Sequence, residues 1–317
     1  MKKLFILPLL AITFNACSTI DNPQVGKFYC FDTMVEAKIY DINTKQMSGI
    51  DDLLRSYDAL TDNYRDRDVN NVYTINNTNE DVVVDEKLYN LLTLAFDMKN
   101  RGITYFNPLV GSLSEKWKSV LRNGETLDSV VINEELSKIN TSELVFKDNN
   151  TVQRIGDAEI DLGAIAKGYV LDEIHEYLKS INSKQYLINA GSSSILLGEK
   201  NTKDGLFSIG LKDLPNKYLQ LKNCVISTSS ISEQGVTING VTYSHIINPL
   251  NGSAINLHDA VIVVSQDGYL GDVMSTNMMN NTIDEIKAFE TQFNLKTIVI
   301  DDGKVSYQHP DLGVSSH

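Results

Sequence analysis

Asp161-Leu162-Gly163-Ala164-Ile165-Ala166-Lys167-Gly168 opens the stretch DLGAIAKGYVLDEIHEYLKSI, residues 161–181. From Gly163 to Ile181, the residues Ile165, Ala166, Tyr169, Val170, Ile174, Tyr177, Leu178 and Ile181 lie on or near one face at helical spacing, which predicts an amphipathic helix. The small residues at its start stand where a strand hands over to that helix. Backbone N–H groups can approach a ligand closely there, a helix N-terminus favours anions, and Lys167 sits one turn along from Ala164, within reach of a phosphate. This is the physics of a pyrophosphate cradle. The same residues admit a plainer reading, with Asp161 capping a helix and Lys167 solvated. The segment is not a Walker A loop, because it lacks GxxxxGK followed by Ser or Thr.

Outward from this segment, residues 27–40 (KFYCFDTMVEAKIY) are rich in aromatic and β-branched residues and read as a strand. Ile50, Leu53, Leu54, Tyr57, Leu60 and Tyr64 follow at helical spacing, and Leu88, Leu91, Leu92, Ala95 and Met98 mark a second helix. On the C-terminal side QYLINAG, SILLG, YLQLKNCVIST, TYSHIINP, AVIVVSQ, KTIVIDD and KVSYQ read as strands, interrupted by helical residues 268–280 and 282–292. The pattern predicts a mixed α+β fold, not a βαβ series. No repeat or linker divides the body, so one domain over 27–317 is expected.

The N-terminus, MKKLFILPLLAITFNACSTI, runs from two lysines through an apolar stretch to small residues before Cys17, the layout of a signal peptide over residues 1–16. It is too short for a mature transmembrane helix. Cys17 stands where a lipoprotein is lipidated, although Phe14 and Asn15 depart from the usual lipobox; ordinary signal cleavage is the alternative. Residues 17–26 read as a lipidated tether, placing the protein at the outer face of the cytoplasmic membrane. Cleavage removes Lys2 and Lys3 and no acid, moving the net charge from −13 to −15. An acidic chain without a basic stripe is not a nucleic-acid binder. Cys30 and Cys224 either pair or remain buried thiols, and neither has metal-ligand spacing.

Two further constellations carry chemistry. Asp272 and Thr276 stand at i and i+4 on one helix face and offer hard oxygen donors suited to Mg²⁺ or Ca²⁺, unless Asp272 merely caps the helix. His245 sits in Tyr243-Ser244-His245-Ile246-Ile247-Asn248-Pro249, as a structural histidine or a base. Phe31, Tyr64, Tyr105 and Phe106 can stack on planar rings or pack in a core.

The order of FDTMVEAKIYD, the Tyr64-Arg65 pair, YFNPLVGSLSEKW, DLGAIAKGYVLD, LINAGSSSILLG, VISTSSISEQ, YSHIINPLNGSAI and GDVMSTNMM resembles the ApbE family of FAD:protein FMN transferases over residues 27–300. The resemblance implies FAD as substrate, bound in a cleft between strand-rich and helical parts, and FMN transfer to a threonine of exported acceptor proteins. It implies a divalent metal on the Ala164 carbonyl and the Asp272 and Thr276 side chains. Asp161 and Lys167 would hold the flavin nucleotide, Phe31, Tyr64, Tyr105, Phe106, Asn107 and Ile246 would contact FAD, and His245 would be the base. The chain departs from many members at Asn248 (Asp there), at Ser192-Ser193 (Gly-Asp) and at STSS, 227–230 (ATSG). The competing readings are an FAD pyrophosphatase, a flavin-binding lipoprotein without catalysis, and a solute-binding lipoprotein.

Overall fold

The run expected as one strand over 27–40 is a hairpin. Strand β1 (Gln24–Cys30) pairs antiparallel with β2 (Thr33–Ile39), from Gln24 opposite Ile39 to Cys30 opposite Thr33. The turn residues Phe31 and Asp32 both adopt left-handed backbone, φ 54° and 53°. Two successive positive φ values make the turn that matches strand twist, but they normally call for Asn-Gly. Side chains other than Gly cost about 1–2 kcal/mol each there, and the Phe31 N–H is held by Asp58 Oδ1 at 2.6 Å. The computed structural model describes residues 22–316; the signal segment and Cys17 fall outside the described residues. β1 begins at Gln24, ahead of the Lys27 expected.

The remaining elements run α1 (Thr44–Thr61), α2 (Val72–Asn76), β3 (Asp81–Val83), α3 (Glu86–Asn100), α4 (Gly111–Arg122), α5 (Ser129–Thr141), β4 (Glu143–Lys147), β5 (Thr151–Ile155), α6 (Ala166–Ser180), β6 (Tyr186–Ala190) and β7 (Ser194–Leu197). Then come β8 (Phe207–Gly210), β9 (Lys217–Leu221), β10 (Cys224–Ser230), β11 (Val236–Ile238), β12 (Val241–Tyr243), β13 (Ala260–Ser265), α7 (Gly268–Met278), α8 (Ile283–Phe293), β14 (Lys296–Asp301), β15 (Lys304–Gln308) and β16 (Val314–Ser316). An eight-stranded sheet runs β1-β2-β6-β7-β10-β13-β14-β15, antiparallel at every step. The result is the mixed α+β domain read from the sequence.

Alternation along the strands assigns the two faces. On β13, Val261 and Val263 pack with Val273, Met274 and Met278 of α7, while Ile262 and Val264 pack with Phe207 of β8 and Leu219 of β9. On the helical face near β2, Val35, Ala37 and Ile39 meet Leu54 and Tyr57 of α1 and Val170 and Ile174 of α6. Helices α6 and α7 touch through backbone: a Cβ at Gly168 would land on the Gly268 carbonyl oxygen, and one at Gly268 on that of Gly168. Only glycine permits that approach.

The predicted strand TYSHIINP is shorter than expected. β12 ends at Tyr243, leaving His245 in a loop. Cys30 and Cys224 are both free and buried, on strands separated by β2, β6 and β7, so the disulfide alternative is not formed.

Candidate active site

A cleft of about 350 Å³ opens where the Phe31 turn, the end of α1, the start of α6, α7 and the His245 loop meet. It is lined by Phe31, Tyr64, Tyr105, Phe106, Asn107, Asp161, Ala164, Lys167, His245, Ile246, Asp272 and Thr276. All the residues nominated from the sequence therefore share one cavity.

At the start of α6, Asp161 Oδ1 accepts the Gly163 N–H at 2.7 Å, and the Ile165 and Ala166 N–H groups bond back to the Leu162 carbonyl at 3.0 and 2.9 Å. The next helical bond would run from the Gly168 N–H to the Ala164 carbonyl. That N–H instead donates to Asp272 Oδ2 at 2.7 Å, so the Ala164 carbonyl is released from the helical ladder. Asp272 Oδ1 accepts the Ser194 and Ser227 hydroxyls at 2.8 and 2.7 Å. The carboxyl is buried, and burial pushes its pKa up despite Lys167, these serines and the Gly168 N–H. An ionised carboxylate so placed calls for a nearby cation. One turn on, Thr276 Oγ1 lies 3.3 Å from Ser229 Oγ. Among the described residues no group of three or more His, Cys, Asp and Glu could hold a metal. A cation here would meet one carboxylate, a carbonyl and hydroxyls, the hard oxygen set that Mg²⁺ and Ca²⁺ take, and the residues fit.

The His245 loop is pinned from several sides. The Ser244 N–H donates to the Ala254 carbonyl at 2.8 Å and Ser244 Oγ accepts the Ile246 N–H at 3.0 Å. Trp117 of α4 donates its Nε1–H to the Gly252 carbonyl at 2.8 Å and stacks on Tyr243 at 5.6 Å. His245 Nδ1 is buried and has no hydrogen-bond partner among the described residues. Burial, then the Lys167 and Lys118 charges, push the imidazole pKa down to about 4. The ring is therefore neutral at physiological pH, as a proton acceptor must be.

Phe106 and Ile246 are largely buried, 4% and 6% exposed, and serve the core as well as the cleft wall. The Tyr105 N–H is held by Asn277 Oδ1 at 2.8 Å, and Asn107 Oδ1 accepts the Leu109 N–H at 3.0 Å. At the rim, Asp62 Oδ1 accepts the Tyr64 N–H at 2.9 Å, and Asp62 Oδ2 accepts Arg67 Nε–H at 2.6 Å. Both Phe31 and Tyr64 are thus oriented by carboxylates flanking Arg67, whose Nη2 also lies 3.7 Å from Asp58.

Lys118, also in the cleft, was missed. Its Nζ donates to the Tyr64 hydroxyl and to Glu115 Oε1, both at 2.8 Å. Burial disfavours its charge, but Asp161, Glu115 and Tyr64 outweigh this and raise its pKa. Glu115 three residues earlier was a local signal, whereas Tyr64 is 54 residues away. Glu233, also in the lining, was not singled out either.

The ApbE family model matches residues 31–299. The chain is 28% identical over 256 residues to the FAD:protein FMN transferase of Klebsiella pneumoniae (strain 342), covering 75% of this chain and 76% of that protein. It is 24% identical over 272 residues to the protein of that name from Vibrio cholerae serotype O1, covering 82% and 80%. The crystal structure of the ApbE protein of Thermotoga maritima superposes with a TM-score of 0.77 at 23% identity, over 93% of this chain and 97% of that one. The flavin transferase ApbE of Vibrio cholerae superposes with a TM-score of 0.71 at 20% identity, over 93% and 97%. These two likenesses establish the fold.

Proposed function

The chain belongs to the ApbE family, and from that premise we propose that it is an FAD:protein FMN transferase, moving FMN from FAD to a threonine hydroxyl of exported acceptor proteins. The threonine oxygen attacks the phosphorus on the FMN side of the FAD diphosphate. The bond from that phosphorus to the bridging oxygen breaks, AMP leaves with that oxygen, and the hydroxyl proton passes to His245. What carries this reading is a buried, neutral His245 with an unpartnered Nδ1 in the same cleft as Asp272, Thr276 and Lys167. A pure binding site has no use for that base.

Lys167 places a cation at the cleft for the diphosphate, and the Ala164 carbonyl, Asp272 and Thr276 would hold Mg²⁺, with Ca²⁺ the alternative. When bound, the metal would neutralise charge growing on the leaving phosphate. Phe31 and Tyr64 offer rings to the flavin or adenine. Cys17 carries the lipid, anchoring the enzyme at the outer face of the cytoplasmic membrane; Cys17→Ala is expected to release it to the soluble fraction.

The test incubates the purified protein with FAD, Mg²⁺ and a threonine-bearing acceptor, reading acceptor mass, AMP and free FMN, with His245→Ala in parallel. An FMN-sized mass gain that needs Mg²⁺ and falls at least 10²-fold in the variant is expected. AMP and free FMN without that gain would replace the transferase by a pyrophosphatase.

A further inference from the structure

Strand β10 presents two serines to α7, and their spacing matches the helix: Ser227 meets Asp272, and Ser229 meets Thr276 four residues on. Two residues of strand and four of helix both advance about 6–7 Å. Ser194 stands directly opposite Ser227 in the β7–β10 register, so the two side chains share one face of the sheet. Both hydroxyls donate to the same oxygen, Asp272 Oδ1, at 2.8 Å from Ser194 and 2.7 Å from Ser227, while Oδ2 accepts the Gly168 N–H at 2.7 Å. The two serines are 1% and 0% exposed. Ser227 fits there because Gly271 has no side chain: a Cβ at that position would lie 2.7 Å from Ser227 Oγ. Satisfying a buried carboxylate is the plainer role of these hydroxyls. One donor per oxygen would meet that need, yet Oδ1 has two.

An ionised carboxylate offers about four lone-pair sites, two on each oxygen. Among the described residues, Ser194 and Ser227 take both sites on Oδ1 and Gly168 takes one on Oδ2, so one is left. We propose that Ser194 and Ser227 are positioning residues that set the cation preference of the cleft, by restricting Asp272 to a single oxygen donor and so favouring Mg²⁺ over Ca²⁺. The inference rests on the metal reading above and concerns residues that need touch no cation themselves. Ca²⁺ takes about six to eight oxygens and readily binds a carboxylate through both of its oxygens, whereas Mg²⁺ takes about six at shorter range, with one or two carboxylates beside retained waters. With Oδ1 closed, the site gives one carboxylate oxygen, the Ala164 carbonyl and the Thr276 hydroxyl. Waters and phosphate oxygens complete the smaller shell from that start more easily than the larger one. Removing either serine reopens Oδ1 and offers a large cation the second carboxylate oxygen.

The experiment titrates the full chain, stripped of metal, with Mg²⁺ alone and with Ca²⁺ alone, each in the absence and presence of FAD, and reads the two dissociation constants by calorimetry. Wild type is expected to bind Mg²⁺ more tightly than Ca²⁺. The ratio of the constants is expected to move about 10-fold towards Ca²⁺ in Ser194→Ala and in Ser227→Ala, and further in the double variant. Ser227→Cys keeps the volume with a weaker donor, guards against loss of folding in the alanine variants, and is expected to move the ratio the same way by less. Ser265→Ala, whose lost hydroxyl bonds the Asp267 carbonyl instead, is expected to leave the ratio where it was. A merely structural loss would weaken both cations alike. Tighter binding of Ca²⁺ than of Mg²⁺ by wild type, or an unchanged ratio in the serine variants, would overturn the proposal. A wild-type protein that binds neither cation, with or without FAD, would instead overturn the metal reading.

Discussion

Gly168 and Asp272 are joined by a 2.7 Å hydrogen bond from the amide of one helix to the carboxylate of the next. That bond holds a buried carboxylate and withdraws the helical donor from Ala164, so one contact prepares two of the three proposed metal donors.

Asp272→Asn separates stability from function. Burial raises the Asp272 pKa in the fold, so ionising it works against folding: stability is full below the unfolded carboxyl pKa and is lost as pH rises through the folded value. Asparagine removes that charge, can accept the Gly168 N–H, and can donate to serine hydroxyls turned to receive it. Without divalent metal at pH 7, the variant is expected to melt ~2–4 °C higher than wild type. The metal-induced rise in melting temperature should vanish and transfer should fall at least ~10²-fold. Calorimetry with and without Mg²⁺ reads both; a lower apo melting temperature contradicts the account.

The proposed base defines an acid limb. With His245 at about 4, its neutral form persists through physiological pH, so transfer attributable to this group is flat there and falls tenfold per pH unit below about 4. The same depression contributes stability present above the ordinary histidine value and lost as pH falls from 6.5 towards 4. Lys118→Met removes one of the charges holding the imidazole down, so the acid limb of kcat/KM should move to higher pH. A limb that stays put excludes that coupling.

Gly168→Ala improves helix propensity by about 1 kcal/mol, yet the added carbon meets the Gly268 carbonyl. Because the obstacle is backbone on another helix, the clash should dominate, with a net loss of about 1–3 kcal/mol. Thermal or urea unfolding measures the sign, and an unchanged or raised midpoint would show that α6 and α7 can part freely.

Trp117→Phe keeps a ring against Tyr243 but deletes the bond to the Gly252 carbonyl. A loss of about 0.5–1.5 kcal/mol in stability is expected, with a several-fold fall in kcat and unchanged FAD affinity as the His245 loop loosens. Titration of FAD beside steady-state kinetics separates the two; weakened FAD binding with normal kcat would assign Trp117 to the binding wall instead.

Helix α6 was legible because eight residues repeat one stripe, and the cleft residues because their motifs recur in a fixed order. The Phe31–Asp32 turn was hidden because neither residue advertises positive φ, and a hairpin without a turn signal reads as one long strand. Helix α4 carried a usable signal, with Leu113, Trp117 and Leu121 all buried at four-residue spacing, yet it was passed over. The Lys118–Tyr64 contact had no local trace, since only tertiary packing brings α4 to the chain after α1. The extent of the His245 strand failed for another reason: TYSHIINP has β-forming residues throughout, but Ser244 bonds Ala254 and Ile246 in a closed loop, ending the ladder at Tyr243.

The two cysteines set the chain's relation to an oxidising surrounding. Burial pushes the Cys30 and Cys224 thiols up to about 11 and about 12, so neither supplies thiolate at ordinary pH. The described fold thus carries no covalent cross-link, needs no oxidant to mature, and presents no reactive sulfur to thiol exchange. Its assembly rests on non-covalent contacts alone, and reductant should leave its melting temperature where it was.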